Sequence, residues 1–568
     1  MNALDIEIFP NFSLIVIGDK LWSTSTKFDL NQKEEIIAAM KASTTYGFNS
    51  NNYDIPLIKA ALGSSTSDEL FRMSKDIIGN RLTPWAFYTD YGIKPPSKID
   101  HFDLSQPAPA VMISLKMYGA RMHMRKLQDL PYAFDSHLTE DQKLNVIKYC
   151  FNDITTTEAL YEQIKDRIDL RIKLGEKYGM DLRSKSDAQI AEAIIKSEVG
   201  SVESTSPPES IIYKKPDFIT GDTTFIENHK FLMHKGKIQL PKDMPLVKIG
   251  DMTYKFGIGG IHSTEKSQTV IPNADEILVD RDVVSYYPSI ILGLGLYPEG
   301  VGEKFLPVYR NIFNTRLEAK EKAKKGDVEA ATVRDGYKIA LNGSYGKFGS
   351  PYSFLYAPEL LLQTTLTGQL ALLMLIQALH DKGIKTVSAN TDGFVSIMPR
   401  AKHDEYDSIC LDWELATGFV LEETEYRSLH SRDVNTYIAI TADGKVKGKG
   451  DYAPSTLMKS PRCVILGEAV KAHLLNGASI DATIRNCTDI TKFIAVRNVK
   501  GGAEGGLGKV VRWYYSTQGS PILYASNGNK VATTDGAMPI MDLPDTLPDD
   551  IDYQKYIDDA NKMMGLLC

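Results

Sequence analysis

The run VDRDVVSYYPSI, residues 279–290, constrains this chain more than any other stretch. Ile277, Leu278 and Val279 lead into it, Val283 and Val284 continue it and Pro288 stops it, the pattern of a buried β-strand that breaks into a turn. A carboxylate, Asp282, therefore stands where the strand ends. A strand of this kind needs a core on its apolar side, and 568 residues exceed what one core usually supports, so several domains are expected. Apolar residues at 43% and charged residues at 24% are ordinary for a soluble globular protein, which excludes disordered and fibrous classes.

Downstream of that run lie KIALNGSYG, 338–346, and SANTDG, 388–393. Lys338 and Asn342 are four residues apart and share one face of a helix. The pattern from Asp282 through Ser285, Tyr286, Tyr287, Pro288 and Ser289 resembles motif A of the family B DNA polymerases, with Tyr286 where those enzymes usually have Leu. The 338–346 stretch resembles their motif B, Lys-x3-Asn-x2-Tyr-Gly. SANTDG is similar to their motif C, usually Tyr-x-Asp-Thr-Asp-Ser; only Thr391 and Asp392 match, while Ser388, Asn390 and Gly393 depart from it.

Nucleotidyl transfer builds charge on attacking, non-bridging and leaving oxygens, and two divalent ions can stabilise both ends of the displacement. The resemblance therefore implies two Mg²⁺ ions, or Mn²⁺ in their place, held by Asp282 and Asp392 with Val283 beside the first. It also implies deoxynucleotide binding by Ser285, Tyr286, Tyr287, Lys338 and Asn342. Arg316 and Lys320 match the Arg-x3-Lys of the family's first fingers helix, in a segment, 307–338, that reads as two helices separated at 324–327. Tyr287 would lie under the sugar and exclude a 2′ hydroxyl.

The opening LDIEIFPN is a strand with Asp5 and Glu7 on one face. GFNSNNYDIPLI, 47–58, carries Asn49 and Asp54, and KYCFNDITTTEAL, 148–160, carries Tyr149 and Asp153 at helical spacing. These stretches resemble, in order, the three motifs of the DnaQ-like proofreading nucleases: Asp-x-Glu, Asn-x2–3-Tyr/Phe-Asp and Tyr-x3-Asp. The likeness implies metal binding by Asp5, Glu7 and Asp153 with Asp54, a water oriented by Tyr149, and contact of Asn49 with DNA. A strand at 99–104 and a helix at 114–122 fit an RNase H-like sheet.

The remaining expectations follow the chain. FGIGGIHS, 256–263, is partly similar to the family's Tyr-x-Gly-Gly motif, which would bring Gly259 and Gly260 to DNA, as Tyr345, Gly346 and Thr391 would be brought by their own motifs. NTYIAITADGKVKGKGDYAP, 435–454, reads as a hairpin turning at Asp443-Gly444. Its Lys449 and Tyr452 resemble the family's primer-binding Lys-x-Tyr, with Lys447 on the same face as Lys449, suited to backbone phosphates. The Ser-, Glu- and Pro-rich 197–209 reads as a mobile connector.

The fold class expected is thus α/β and α+β multidomain: an RNase H-like exonuclease at 1–180, a helical linker at 181–250, palm at 251–302, fingers at 303–350, palm at 351–455 and a thumb at 456–568. The whole resembles a compact family B DNA polymerase of bacteriophage type. The resemblance implies primer-template DNA and deoxynucleoside triphosphates as partners, a phage helicase, primase or single-strand binding protein as further ones, a monomer, and the cytoplasm of a host cell. Only 56 positions separate Asp282 from Lys338 and 50 separate Asn342 from Asp392, so the larger insertion of protein-primed phage enzymes has no room. Priming from an ordinary 3′ end is expected, and strand displacement stays open. Asn390 keeps two rival readings alive: a 3′–5′ exonuclease with a decayed polymerase site, and a non-catalytic primer-template binding protein.

Composition adds three limits. The net charge of −7 argues against nucleic acid only weakly, because a basic footprint is local and the acid is concentrated at 541–559. Cys150, Cys410, Cys463, Cys487 and Cys568 form no CxxC, so no zinc or iron–sulfur module and no disulfide framework is expected. The first twelve residues show no signal peptide, and the apolar run 370–379 is too short to span a bilayer.

Overall fold

The structure is a computed structural model that describes every residue except 96–98, 110–112, 204, 222, 228, 242, 243, 245 and 568, so Cys568 and one position of the 197–209 connector lie outside the described residues. The chain is mixed α/β and forms two units. The first holds Met1–Ser186, Ser455–Ile465 and Cys487–Lys555, and the second holds Asp187–Pro454, Leu466–Asn486 and Tyr556–Cys568.

A five-stranded sheet organises the first unit. Asn2–Phe9, Phe12–Ile17 and Lys20–Thr24 run as an antiparallel meander, and Thr45–Gly47 and His101–Asp103 extend it with parallel pairing on the other side of the first strand. Alternation along that first strand sets what each face carries. Leu4, Ile6 and Ile8 enter one core with Ile15 and Ile17. Asp5 and Glu7 share the opposite face with Ala3 and Phe9, against which Val146, Cys150 and Ile154 of the helix Glu140–Gln163 pack. That helix begins at a reciprocal cap between Thr139 and Gln142, which fixes its start and so the height of Tyr149 and Asp153 along it.

The same unit contains a second sheet, Ala495–Ala503, Gly508–Tyr515 and Ala537–Pro539. Arg512, fully buried in it, donates to the carbonyls of Met124, Arg125, Ile540 and Met541 at 2.6–3.1 Å. A buried guanidinium without such acceptors is costly, so these bonds commit the C-terminal sheet to the N-terminal part of the unit. The thumb expected at 456–568 is accordingly not one domain: most of that segment folds into the first unit, and the rest into the second.

In the second unit a ten-stranded sheet is centred on Glu276–Val283, which pairs antiparallel with Gly393–Pro399 on one side and Leu421–Asp433 on the other. The helix Pro358–Asp381 fills the core behind it. This corrects the expectation of a short apolar run: the helix has 24 residues and is long and apolar enough to cross a membrane, but 78% of its most apolar window is buried within the protein. Phe305–Lys324 and Val328–Phe348 form the expected pair of helices, with Asp327 capping the second. The helix Asp187–Val199 packs on that second helix where Gly343 lets it close in; a Cβ there would lie 2.7 Å from the Asp187 carbonyl. Residues 187–250 are thus part of the second unit rather than a linker. The 197–209 stretch is not a free connector either, because Ser197–Val199 are helical and the Glu203 N–H donates to the Gly300 carbonyl at 2.9 Å.

Candidate active sites

The two acid-bearing strands found by sequence each carry a cluster of carboxylates, the first within the strand and the second at its end. In the first unit, oxygens of Asp5, Glu7 and Asp153 lie within 4.8 Å of one another. Asp54, at the first turn of the helix Asp54–Leu62, is buried and near enough to Asp5 to act on it electrostatically, and Tyr149 stands one turn before Asp153 on the helix they share. The Cys150 thiol donates to Asp5 at 3.5 Å. Burial, then mutual repulsion, pushes the Asp5 and Glu7 carboxyls well above the usual range. Burial also raises Asp54, to about 7 with Asp103 adding to the rise, and Asp153, to about 6. Four acids crowded with so little compensation form a site that a divalent cation would relieve.

Sequence reasoning missed Asp103. Its buried carboxylate accepts the N–H groups of Asn49, Asn51 and Ser105 at 2.8–3.0 Å, and so pins the loop that carries Asp54. Asn49, expected to reach DNA, holds a left-handed backbone (φ 59°) and is exposed, with its side chain accepting from Asn52.

In the second unit Asp282 faces Gly393 across the antiparallel ladder, and the Val283 N–H donates to the Asp392 carbonyl at 2.7 Å. Asp282 and Asp392 are therefore neighbours at adjacent strand ends. The departure of position 393 from the family's Ser has a steric reason: a Cβ there would sit 2.0 Å from an Asp282 carboxylate oxygen. Thr391 turns the chain with φ 62°, and the Asn390 amide donates to the Val434 carbonyl at 3.1 Å. Burial followed by the charge of Asp280 raises Asp282 to about 6, and burial followed by Asp282 raises Asp392.

A cavity of about 340 Å³ opens beside the pair, lined among others by Asp280, Tyr437, Lys447 and Lys449. Asp280 lies two residues before Asp282 on the same face of the strand, a spacing that was legible in the DRD of the sequence and was overlooked. It accepts from Tyr426 and sits 3.5 Å from Lys447. Lys447 and Lys449 thus flank the carboxylate cavity. Lys449 lies over the ring of Tyr437, its ammonium pKa pulled down by burial.

Arg316 reaches back to donate to the hydroxyl of Ser285, which holds a left-handed backbone (φ 51°) between strand and helix. Lys320 pairs at 2.7 Å with Glu422, the residue opposite Asp282 on the neighbouring strand. Lys338 and Asn342 are exposed on their helix, as is Gly346. Tyr287 stacks on Tyr345 with ring centres 4.5 Å apart and donates to the Gly259 carbonyl.

Three expected contacts are corrected. Tyr286 is buried and donates to the Gly368 carbonyl at 2.6 Å, so its side chain belongs to the core and not to a nucleotide site. Tyr452 is buried and donates to the Met563 carbonyl at 2.9 Å, which removes it from a DNA surface. Gly260 serves the turn at Thr391, since a Cβ would meet Thr391 at 2.8 Å, while Gly259 alone of the pair has open space beside it.

No protein-family profile matches the chain. Over 260 residues it is 23% identical to a protein named DNA polymerase 1 from Pyrococcus abyssi, a match covering 39% of this chain and 33% of that protein. The chain thus spans about a third of the length of the curated relative it matches. Among solved structures it is similar to the family B DNA polymerase of the hyperthermophilic archaeon Pyrobaculum calidifontis at 13% identity and a TM-score of 0.44, over all of this chain and 77% of that one.

Proposed function

We propose that the chain is a template-directed DNA polymerase that extends a primer 3′ end, and that its first unit is a 3′–5′ proofreading exonuclease. One observation carries the reading: Asp282 and Asp392, far apart in sequence, meet at adjacent strand ends beside a helix that brings Arg316 to Ser285 and Lys320 to Glu422. The donor set of both clusters is hard oxygen, the set Mg²⁺ takes, and the raised carboxyl pKa values mark sites short of positive charge. When bound, such ions would supply the charge that stabilises the attacking and leaving oxygens of an in-line displacement.

The chain's own residues do the rest of the work. Attack of the primer 3′ hydroxyl on the α-phosphorus forms one P–O bond and breaks the bond to the leaving pyrophosphate. Arg316, Lys320 and Lys338 present cations to the triphosphate, the guanidinium by forked contacts and the lysines as point charges. Tyr287, held between Tyr345 and the Gly259 carbonyl, is a rigid floor under the sugar and selects deoxynucleotides by excluding a 2′ hydroxyl. Lys447 and Lys449 hold the primer backbone next to the carboxylates.

In the first unit, the sheet order and the convergence of Asp5, Glu7, Asp54 and Asp153 support an RNase H-like nuclease in which Tyr149 orients the attacking water. A mismatched primer end is unpaired at lower cost, and a frayed single strand can reach these half-buried carboxylates. The compact spacing of the motifs supports a bacteriophage-type enzyme primed from an ordinary 3′ end.

Asn390 favours a second reading, a 3′–5′ exonuclease on a polymerase scaffold that no longer synthesises. Incubating a labelled primer-template with Mg²⁺ and deoxynucleoside triphosphates separates the two: elongation supports the first, and shortening alone supports the second.

A further inference from the structure

The C-terminal sheet of the first unit carries a feature that neither proposed activity uses. Its first two strands, Ala495–Ala503 and Gly508–Tyr515, are joined through the tip KGGAEGGLGK, 500–509. This tip packs on an ion pair that neighbours the acid cluster. Gly508 packs so closely on Asp129 that a Cβ would lie 1.5 Å from its carboxylate, and Asp129 in turn binds Lys116 at 2.8 Å. Lys116 and Asp129 both act electrostatically on Asp153, one of the three residues whose oxygens converge.

The tip is also chemically apt for phosphate. Lys500 and Lys509 are exposed, and neither is ion-paired among the described residues. Gly505 and Gly506 are exposed at φ 70° and 73°, a conformation that glycine adopts readily and that leaves no side chain between the backbone and an approaching anion. Glu504, the acid of the loop, lies against Gly528, and the peptides of Gly502 and Glu504 are bonded to Ala525 and Leu523, so the tip is held in place rather than loose.

We propose that the 500–509 hairpin tip binds backbone phosphates of a single-stranded 3′ end as it is fed to the Asp5, Glu7 and Asp153 cluster. The proposal rests on the exonuclease reading of that cluster. It gives the C-terminal segment a role in strand delivery to the nuclease.

The test uses the full chain and a short single-stranded oligodeoxynucleotide carrying 5-iododeoxyuridine near its 3′ end. Binding is followed by fluorescence anisotropy in EDTA, and photocrosslinks are mapped by mass spectrometry. Crosslinks should fall within 495–515. Lys500→Ala/Lys509→Ala should weaken binding about tenfold at 0.1 M salt and make the salt dependence of log K shallower by about 1.4, at about 0.7 per single-strand phosphate contact. Affinity and salt slope equal to those of the unsubstituted chain, or crosslinks confined to other segments, overturn the proposal. If the strand is held at the hairpin but is not shortened when Mg²⁺ replaces EDTA, the exonuclease reading falls while the binding site stands.

Discussion

The two carboxylate sites differ in how their negative charge is answered. In the first unit buried Asp54 and half-buried Asp5, Glu7 and Asp153 crowd together; burial raises the pKa of each, repulsion from the other acids raises Asp5 and Glu7 further, and Lys116 is a cation acting on Asp153. In the second, Asp282 and Asp392 open onto a cavity shared with Lys447 and Lys449, and Arg316 and Lys320 reach the same strand ends. A site that must admit only a strand end and water can be mostly anionic. One that must also seat a triphosphate needs cations within reach of its acids.

That contrast breaks most decisively at the shared acids. Asp392→Ala should reduce primer extension by 10²- to 10³-fold or more, the scale of removing a group that stabilises transition-state charge, and leave degradation in place. Steady-state extension and single-strand hydrolysis measured on the same preparation check it. Arg316→Ala should raise the deoxynucleotide KM about 10- to 100-fold, since a charge-assisted hydrogen bond is worth about 1.5–3 kcal/mol. An effect on hydrolysis of similar size would mean that the substitution disturbs folding rather than one site. Tyr287→Ala should relax sugar discrimination about tenfold, read as the ratio of ribonucleotide to deoxynucleotide incorporation; an unchanged ratio removes Tyr287 from the sugar.

Stability against pH sharpens the comparison further. A carboxyl whose folded pKa is raised contributes stability below its unfolded value near 4, and that stability is lost as pH rises through the folded value. For Asp54 and Asp153 the folded values are about 7 and about 6, so thermal stability in EDTA should fall between about pH 4 and pH 7. At about 2–4 °C per kcal/mol for a unit of this size, the shift should be several degrees. Asp54→Asn should flatten it, and Mg²⁺ should offset it, as followed by differential scanning calorimetry. The smallest effect concerns Asn390. Replacing it with Asp sets a carboxylate against the Val434 carbonyl and removes a hydrogen bond, so Asn390→Asp should cost about 1 kcal/mol and give no gain in extension. A large gain would instead mark Asn390 as a decayed position.

Local pattern made much of this legible. The strand around Asp282 and its end were readable because the apolar run and spacing agree, whereas Pro288, read as a stop, lies in the first turn of the helix Tyr286–Gly293; Asp5, Glu7, Tyr149 and Asp153 were readable because strand and helix periods fix which residues share a face. What sequence could not give was direction and partnership. Tyr286 and Tyr452 occupy motif positions, yet their hydroxyls find carbonyls inside the core. Asp103 acts through backbone N–H groups of a loop fifty residues earlier, and nothing in its own strand announces that. The return of 487–555 to the first unit depends on Arg512 meeting carbonyls of residues 124 and 125, a contact nearly four hundred residues apart in sequence. Apolar patterning says that a strand is buried and leaves open in which core.

The most direct measurement follows a labelled primer with a mismatched 3′ nucleotide, annealed to its template, after addition of Mg²⁺ and all four deoxynucleoside triphosphates. The account predicts that the primer first shortens past the mismatch and is then extended to full length with the template-matched base. Extension that retains the mismatch, or no change in primer length, would contradict it.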